Sequence, residues 1–170
     1  MPLLHDGGVN MDVPISDTDT TTKLENFKVF PKHIGVWEGK WIRLDADGQE
    51  IERFTGVVKK EIVDNQWVQT NTYQFADGRS VTQNFVGVVA GEGAVKIESS
   101  APPFSNYTTL AKEYEDNLII FKIWDKATGV LLAIETISLM DENNCVRTSQ
   151  GFTAEGKFKG GLMIVEQKTA

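Results

Sequence analysis

Residues 33–48 read HIGVWEGKWIRLDADG. Trp37 and Trp41 stand four residues apart, each two residues after a glycine. Apolar residues at even spacing then run into Asp45-Ala46-Asp47-Gly48. Such a stretch reads as a half-buried strand ending in a tight turn, because alternation places every second side chain on one face and Gly supplies positive φ.

The same rhythm continues to the end of the chain. EIERFTGVVKKEIV (50–63) runs into Asp64-Asn65, and WVQTNTYQF (67–75) into Ala76-Asp77-Gly78. RSVTQNFVGVV (79–89) and AVKIESS (94–100) follow, then the longer connection APPFS (101–105). NYTTLAKEY (106–114), LIIFKIWD (118–125), VLLAIETISL (130–139), CVRTSQGF (145–152) and KFKGGLMIVEQ (157–167) complete about ten strands joined by short turns. The fold class expected is all-β, an antiparallel up-and-down barrel, since closure removes the exposed edges of so long a meander. About eight to ten strands enclose room for one small ligand. Gly56, Gly87, Gly151, Gly160 and Gly161 fall inside strand patterns and mark expected bulges or bends.

Ahead of the barrel, residues 1–20 are rich in Asp, Gly, Thr and Pro and read as a flexible leader. A flap over a cavity mouth is the alternative. Residues 21–170 form the expected barrel domain. Within it, Leu24, Phe27 and Phe30 recur every three residues behind a threonine run, which predicts a short helix ended by Pro31.

The chain of 170 residues carries a net charge of −7. A nucleic-acid groove needs a basic stripe, and an anionic membrane surface also selects basic proteins, so neither is an expected partner. The single cysteine, Cys145, makes neither a disulfide within the chain nor a thiolate cluster. The first residues lack the pattern of a signal peptide, and no run is apolar and long enough to span a bilayer, which predicts a cytoplasmic protein. Assembly into a homo-oligomer is left open.

Gly35-Val36-Trp37, behind a short helical segment and at the start of the first strand, resembles the Gly-x-Trp signature of lipocalins and other calycins. The resemblance implies that Trp37 closes one end of the barrel and that Arg147, on a late strand, stacks across the indole. Gly39-Lys40-Trp41 repeats the spacing and offers a second plug; Trp37 is preferred because it begins the strand. HIGVWEGKWIRLDADGQ, followed by WVQTNTYQFADGR, is also similar to a bacterial, largely cyanobacterial, lipocalin-like family of unassigned function.

Candidate site residues follow from alternation. One face of 67–75 reads Trp67, Gln69, Asn71, Tyr73, Phe75. Aromatics interleaved with amides suit a ligand wall, whereas a dry core disfavours unpaired amides. Solvent-facing amides in another register are the alternative. Gln83 and Phe85 extend this wall, as do Phe104 and Tyr107 at the Pro102-Pro103 loop, read either as a lid or as a plain crossover, and Trp124. Glu135 lies in phase with Ala133 and Ile137. Buried alone it would be a general acid or base; buried beside Arg147 it would remain an ion pair; both phases of its strand are apolar, so a surface position also fits. His33 reads first as a structural residue, and Cys145 as a small buried hydrophobe.

No ligand set for a metal, no strand–glycine loop–helix for a nucleotide and no nucleophile elbow is present, so no metal and no cofactor is expected. The expected function is binding of a hydrophobic or aromatic small molecule, with a cofactor-independent cyclisation, isomerisation or lyase-type step carried by Tyr73, Asn71 and Glu135. A non-catalytic carrier or sensor is the alternative, and a filled barrel without a cavity a third.

Overall fold

A computed structural model describes residues 22–170. The ten strands are β1 Gly35–Leu44, β2 Glu50–Val63, β3 Gln66–Phe75, β4 Ser80–Gly91, β5 Ala94–Glu98, β6 Tyr107–Tyr114, β7 Leu118–Asp125, β8 Leu131–Leu139, β9 Asn144–Phe152 and β10 Phe158–Lys168. Each pairs antiparallel with its sequence neighbours, and β1 pairs with β10, so the sheet closes on itself. The expected barrel is the one observed. The leader expected over residues 1–20, with its alternative as a flap, lies outside the described residues.

The expected helix takes a tighter form. Two 3-10 turns, Leu24–Asn26 and Phe30–His33, replace it. Their bonds run from the Phe27 N–H to the Leu24 carbonyl (3.1 Å) and from the Ile34 N–H to the Pro31 carbonyl (3.3 Å). Pro31 does not end the pattern; it sits near the start of the second turn, where its missing N–H costs nothing. The N-cap position of the first turn is Lys23, whose side chain makes no cap bond.

These turns plug one end of the barrel. The Leu24 N–H donates to Asn65 Oδ1 (2.8 Å) at the β2–β3 turn. The Glu113 carboxylate of β6 accepts the N–H groups of Lys28 (2.9 Å), Val29 (2.7 Å) and Phe30 (3.3 Å). Leu24, Val29 and Phe30 are thereby buried against the strands. Burying a side chain of Leu or Phe size contributes about 2 kcal/mol. Phe30 meets Trp67 edge-on at 5.4 Å, and the Trp37 indole N–H donates to the His33 carbonyl at 2.8 Å. The core is thus concentrated at the plugged end, around Trp37, Val58, Val95, Cys145 and Ile164.

The strand glycines do two different things. Gly160, at φ +141, lies at a register shift in β10 and bends the strand as expected. Gly56 instead makes room: a Cβ there would lie 2.5 Å from Trp41 Nε1. No helix among the described residues is long and apolar enough to cross a membrane.

Candidate functional site

Above the plug the barrel is hollow. The cavity has a volume of about 340 Å³, within the range that suits a small molecule. Phe30 and His33 form its floor, and the exposed Arg43 and Val81 stand at its mouth. One wall is the predicted face of β3, Trp67, Gln69, Asn71, Tyr73 and Phe75, continued by Gln83 and Phe85 of β4. The facing wall is largely apolar, built from Ile119, Phe121, Ile123, Ile137 and Leu162, with Glu135, Arg147 and Ser149 beside them.

The amides of β3 form a hydrogen-bonded row, because residues two apart on a strand lie side by side on one face. Trp67 Nε1 donates to Gln69 Oε1 (3.0 Å), Gln69 Nε2 to Asn71 Oδ1 (2.9 Å) and Asn71 Nδ2 to the Tyr73 hydroxyl (2.9 Å). The Tyr73 hydroxyl donates across to Gln83 Oε1 (3.5 Å). Burial pushes the Tyr73 pKa up, partly offset by the Asn71 hydrogen bond, so the phenol keeps its proton at neutral pH.

Deeper in the barrel lies a buried charge cluster. Arg147 of β9 donates through Nε to Glu135 Oε1 of β8 (2.7 Å) and through Nη1 to Glu166 Oε1 of β10 (3.2 Å). All three side chains are buried. Burial alone would lower the arginine pKa, but the two carboxylates more than offset it and the net direction is up. Lys60 of β2 is also buried, and its pKa falls through desolvation, opposed by Glu166. His33 is pushed well below its ordinary value by burial, then by Lys60, Arg147 and Lys168, so its imidazole is neutral. Neither His33 nitrogen finds a hydrogen-bond partner among the described residues, and nor does Trp41 Nε1.

Three expectations need correction. Arg147 does not stack across Trp37: its guanidinium lies 5.0 Å from the Trp41 ring centroid. Lys60 and Lys168 lie over Trp37 instead, at 5.5 and 5.2 Å. Trp37 is still fully buried beside the plug, and Trp41 lines the cavity. Trp124 does not face the interior, because it shares the outward phase of Lys122, while Ile119, Phe121 and Ile123 point in. Tyr107 is not a cavity residue either; it packs edge-on against Phe104 (5.5 Å), which in turn meets Phe85 (4.9 Å) at the cavity wall. Phe104 therefore comes from the loop as expected, with Tyr107 behind it.

Glu135 faces inward beside Arg147, which selects the ion-pair reading over the free acid and the surface position. Cys145 is buried, with its thiol pushed up to about 11 by desolvation. Sequence reasoning missed Phe54, Lys60 and Glu166. The signal was available for Glu166 and Lys60, each a charged residue in phase with an inward apolar one, Ile164 and Val58.

A closed ten-stranded antiparallel barrel, plugged at one end and hollow above the plug, defines a lipocalin-like protein with a ligand-sized interior. Residues 22–170 match the family described as Domain of unknown function (DUF3598), N-terminal, and the chain belongs to it. A DUF3598 protein of unknown function from Nostoc punctiforme has the same fold, with a TM-score of 0.59 and 14% identity over 82% of this chain and 49% of its own. The chain spans about half the length of that protein. The S-type phycobiliprotein lyase CPES from Guillardia theta is similar over 83% of this chain and 90% of its own, with a TM-score of 0.61 and 14% identity. Rv2717c from M. tuberculosis is similar over 82% and 94%, with a TM-score of 0.60 and 14% identity. No curated protein matches the sequence.

Proposed function

We propose that the barrel binds one hydrophobic or aromatic small molecule and carries out a cofactor-independent cyclisation, isomerisation or lyase-type step on it. The observation that carries this reading is the pairing of two unlike walls around one cavity, a row of amides and a phenol on β3 facing aliphatic and aromatic side chains on β7, β8 and β10. Apolar walls gather the molecule and the polar row orients it. Holding a flexible substrate in a reactive shape supplies several kcal/mol, on the order of what intramolecular reactions gain from orientation. Tyr73 offers a protonated hydroxyl, Asn71 aligns it, and Glu135 with Arg147 sets the field at the deep end. That a barrel of similar shape from Guillardia theta is a phycobiliprotein lyase supports a lyase-type step in such a frame.

A non-catalytic carrier is the second reading. It is favoured by one fact: Glu135, the carboxylate on the cavity wall, is already bound by Arg147 and is not a free base. Native mass spectrometry of protein purified from its own host identifies the bound molecule. Turnover and affinity are then measured for Tyr73→Phe and Glu135→Gln. Lost turnover with retained affinity supports the enzyme; a molecule released chemically unchanged by all forms supports the carrier.

A further inference from the structure

The direction of the hydrogen-bonded row on β3 carries information about the ligand. We infer that the molecule bound in the cavity presents hydrogen-bond acceptors to the β3–β4 wall, as a ketone, ester or other carbonyl compound does, with an apolar remainder against β7 and β8. This inference rests on the reading that the cavity binds a small molecule.

The argument begins at Trp67. An indole N–H donates and cannot accept. Its bond to Gln69 Oε1 therefore fixes which way the Gln69 amide points, with Nε2 toward Asn71. Asn71 must then offer Oδ1 to Gln69 and Nδ2 to Tyr73. The Tyr73 hydroxyl, having accepted from Asn71, turns its proton to Gln83 Oε1. One unflippable group thus sets the direction of the Gln69 and Asn71 amides, and the Tyr73–Gln83 contact continues the row.

Counting the protons gives the consequence. Every amide oxygen in the row already accepts a proton. Each amide nitrogen carries two protons. Gln69 and Asn71 have spent one apiece, and Gln83 has spent neither. The wall is therefore rich in unspent N–H groups. A ligand that excludes water from them without accepting their protons leaves buried donors unpaired, which is disfavoured. A carbonyl oxygen accepts from them and adds no proton, whereas a hydroxyl oxygen accepts as well but brings a proton that needs an acceptor of its own. The facing residues Ile119, Phe121, Ile123, Ile137 and Leu162 offer no hydrogen-bonding side-chain atom, so the part of the ligand that meets them is apolar.

The test uses two sets of rigid probes on the full chain: 9-fluorenone, 9-fluorenol and fluorene, and the smaller 1-tetralone, 1-tetralol and tetralin. Affinities come from calorimetry. In at least one set the ketone is expected to bind at least tenfold more tightly than both its alcohol and its hydrocarbon. Gln83→Glu replaces unspent N–H groups with oxygen at nearly constant shape, and Trp67→Phe removes the proton that sets the direction. Both are expected to cut the ketone-to-hydrocarbon ratio to less than threefold, with cooperative melting confirming that each variant is folded. A ratio near one in the parent chain in both sets, or a ratio unmoved in whichever of the two variants is folded, overturns the inference while binding itself survives. Absence of binding by every probe overturns the small-molecule reading as well.

Discussion

Gly39 stands directly opposite Glu166 in the β1–β10 ladder, and a Cβ at Gly39 would lie 2.8 Å from Glu166 Cγ and 2.4 Å from the Val165 carbonyl oxygen. This answers why a glycine separates the two tryptophans. Its missing side chain gives the Glu166 carboxylate a place inside the barrel, from which it reaches Arg147. The expected outcome of Gly39→Ala is a loss of about 1–3 kcal/mol, the usual cost of forcing an added methyl into a packed site. The midpoint of urea unfolding measures it.

Arg147 holds two buried carboxylates and an indole at once. Removing one partner of a buried ion cluster costs about 3–5 kcal/mol, because the remaining charges are left uncompensated. Arg147→Met is expected to lose that much. Adding Glu135→Gln and Glu166→Gln should return part of the loss. Arg147→Lys should not restore it, since an ammonium lacks the planar fork that meets both carboxylates. Chemical denaturation of the series separates charge from packing.

His33 predicts an acid-side weakness. Its folded pKa is held below the ordinary value by burial and by Lys60, Arg147 and Lys168. The unfolded chain therefore binds a proton that the folded chain refuses. Stability contributed by this residue is complete above about pH 6.5 and falls by roughly 1.4 kcal/mol per pH unit below it, until the folded pKa is reached. His33→Phe keeps an aromatic ring and loses no hydrogen bond, since neither ring nitrogen makes one among the described residues. The variant is expected to have a flatter stability profile between about pH 5 and 6.5, read from unfolding midpoints across that range.

Cys145 is expected to be inert in the folded protein. It is buried and its thiol is pushed up to about 11. At pH 8 only about one thiol in a thousand is ionised, and the thiolate is the reactive form. Reaction with Ellman's reagent should run at least about a hundredfold slower in buffer than in denaturing urea. A fast native reaction would contradict this placement.

Glu113 ties down the plug through three backbone N–H groups. Glu113→Gln swaps a carboxylate oxygen for a donor that faces other donors. Hydrogen bonds to a charged group contribute about 1.5–3 kcal/mol. Exchange of the Lys28, Val29 and Phe30 amide protons should accelerate accordingly, while amides in β7 keep their protection. Hydrogen exchange followed by NMR reads both.

The barrel was legible because its signals are local. Period-two alternation and turns such as Asp64-Asn65 and Ala76-Asp77-Gly78 lie within a few residues of each other, and the β3 wall was readable for the same reason. What failed depends on pairing across the sheet. Trp37 and Trp41 have identical spacing; Arg147 reaches Trp41 because Ile164 stands opposite both in the ladders. No local pattern contains that row. The phase of Glu135 was ambiguous because both faces of β8 are apolar, and its partner comes from the next strand. Trp124 is different: Lys122, two residues before it, already marked that phase as outward. The plug took 3-10 form because its stability comes from Glu113 and Asn65, far away in sequence, and not from a helical repeat.

With Phe30 and His33 at the far end, the described residues leave the interior shaped as a cup whose mouth lies beside Arg43 and Val81. A molecule that enters past Arg43 and Val81 meets the closed floor and turns back by the way it came.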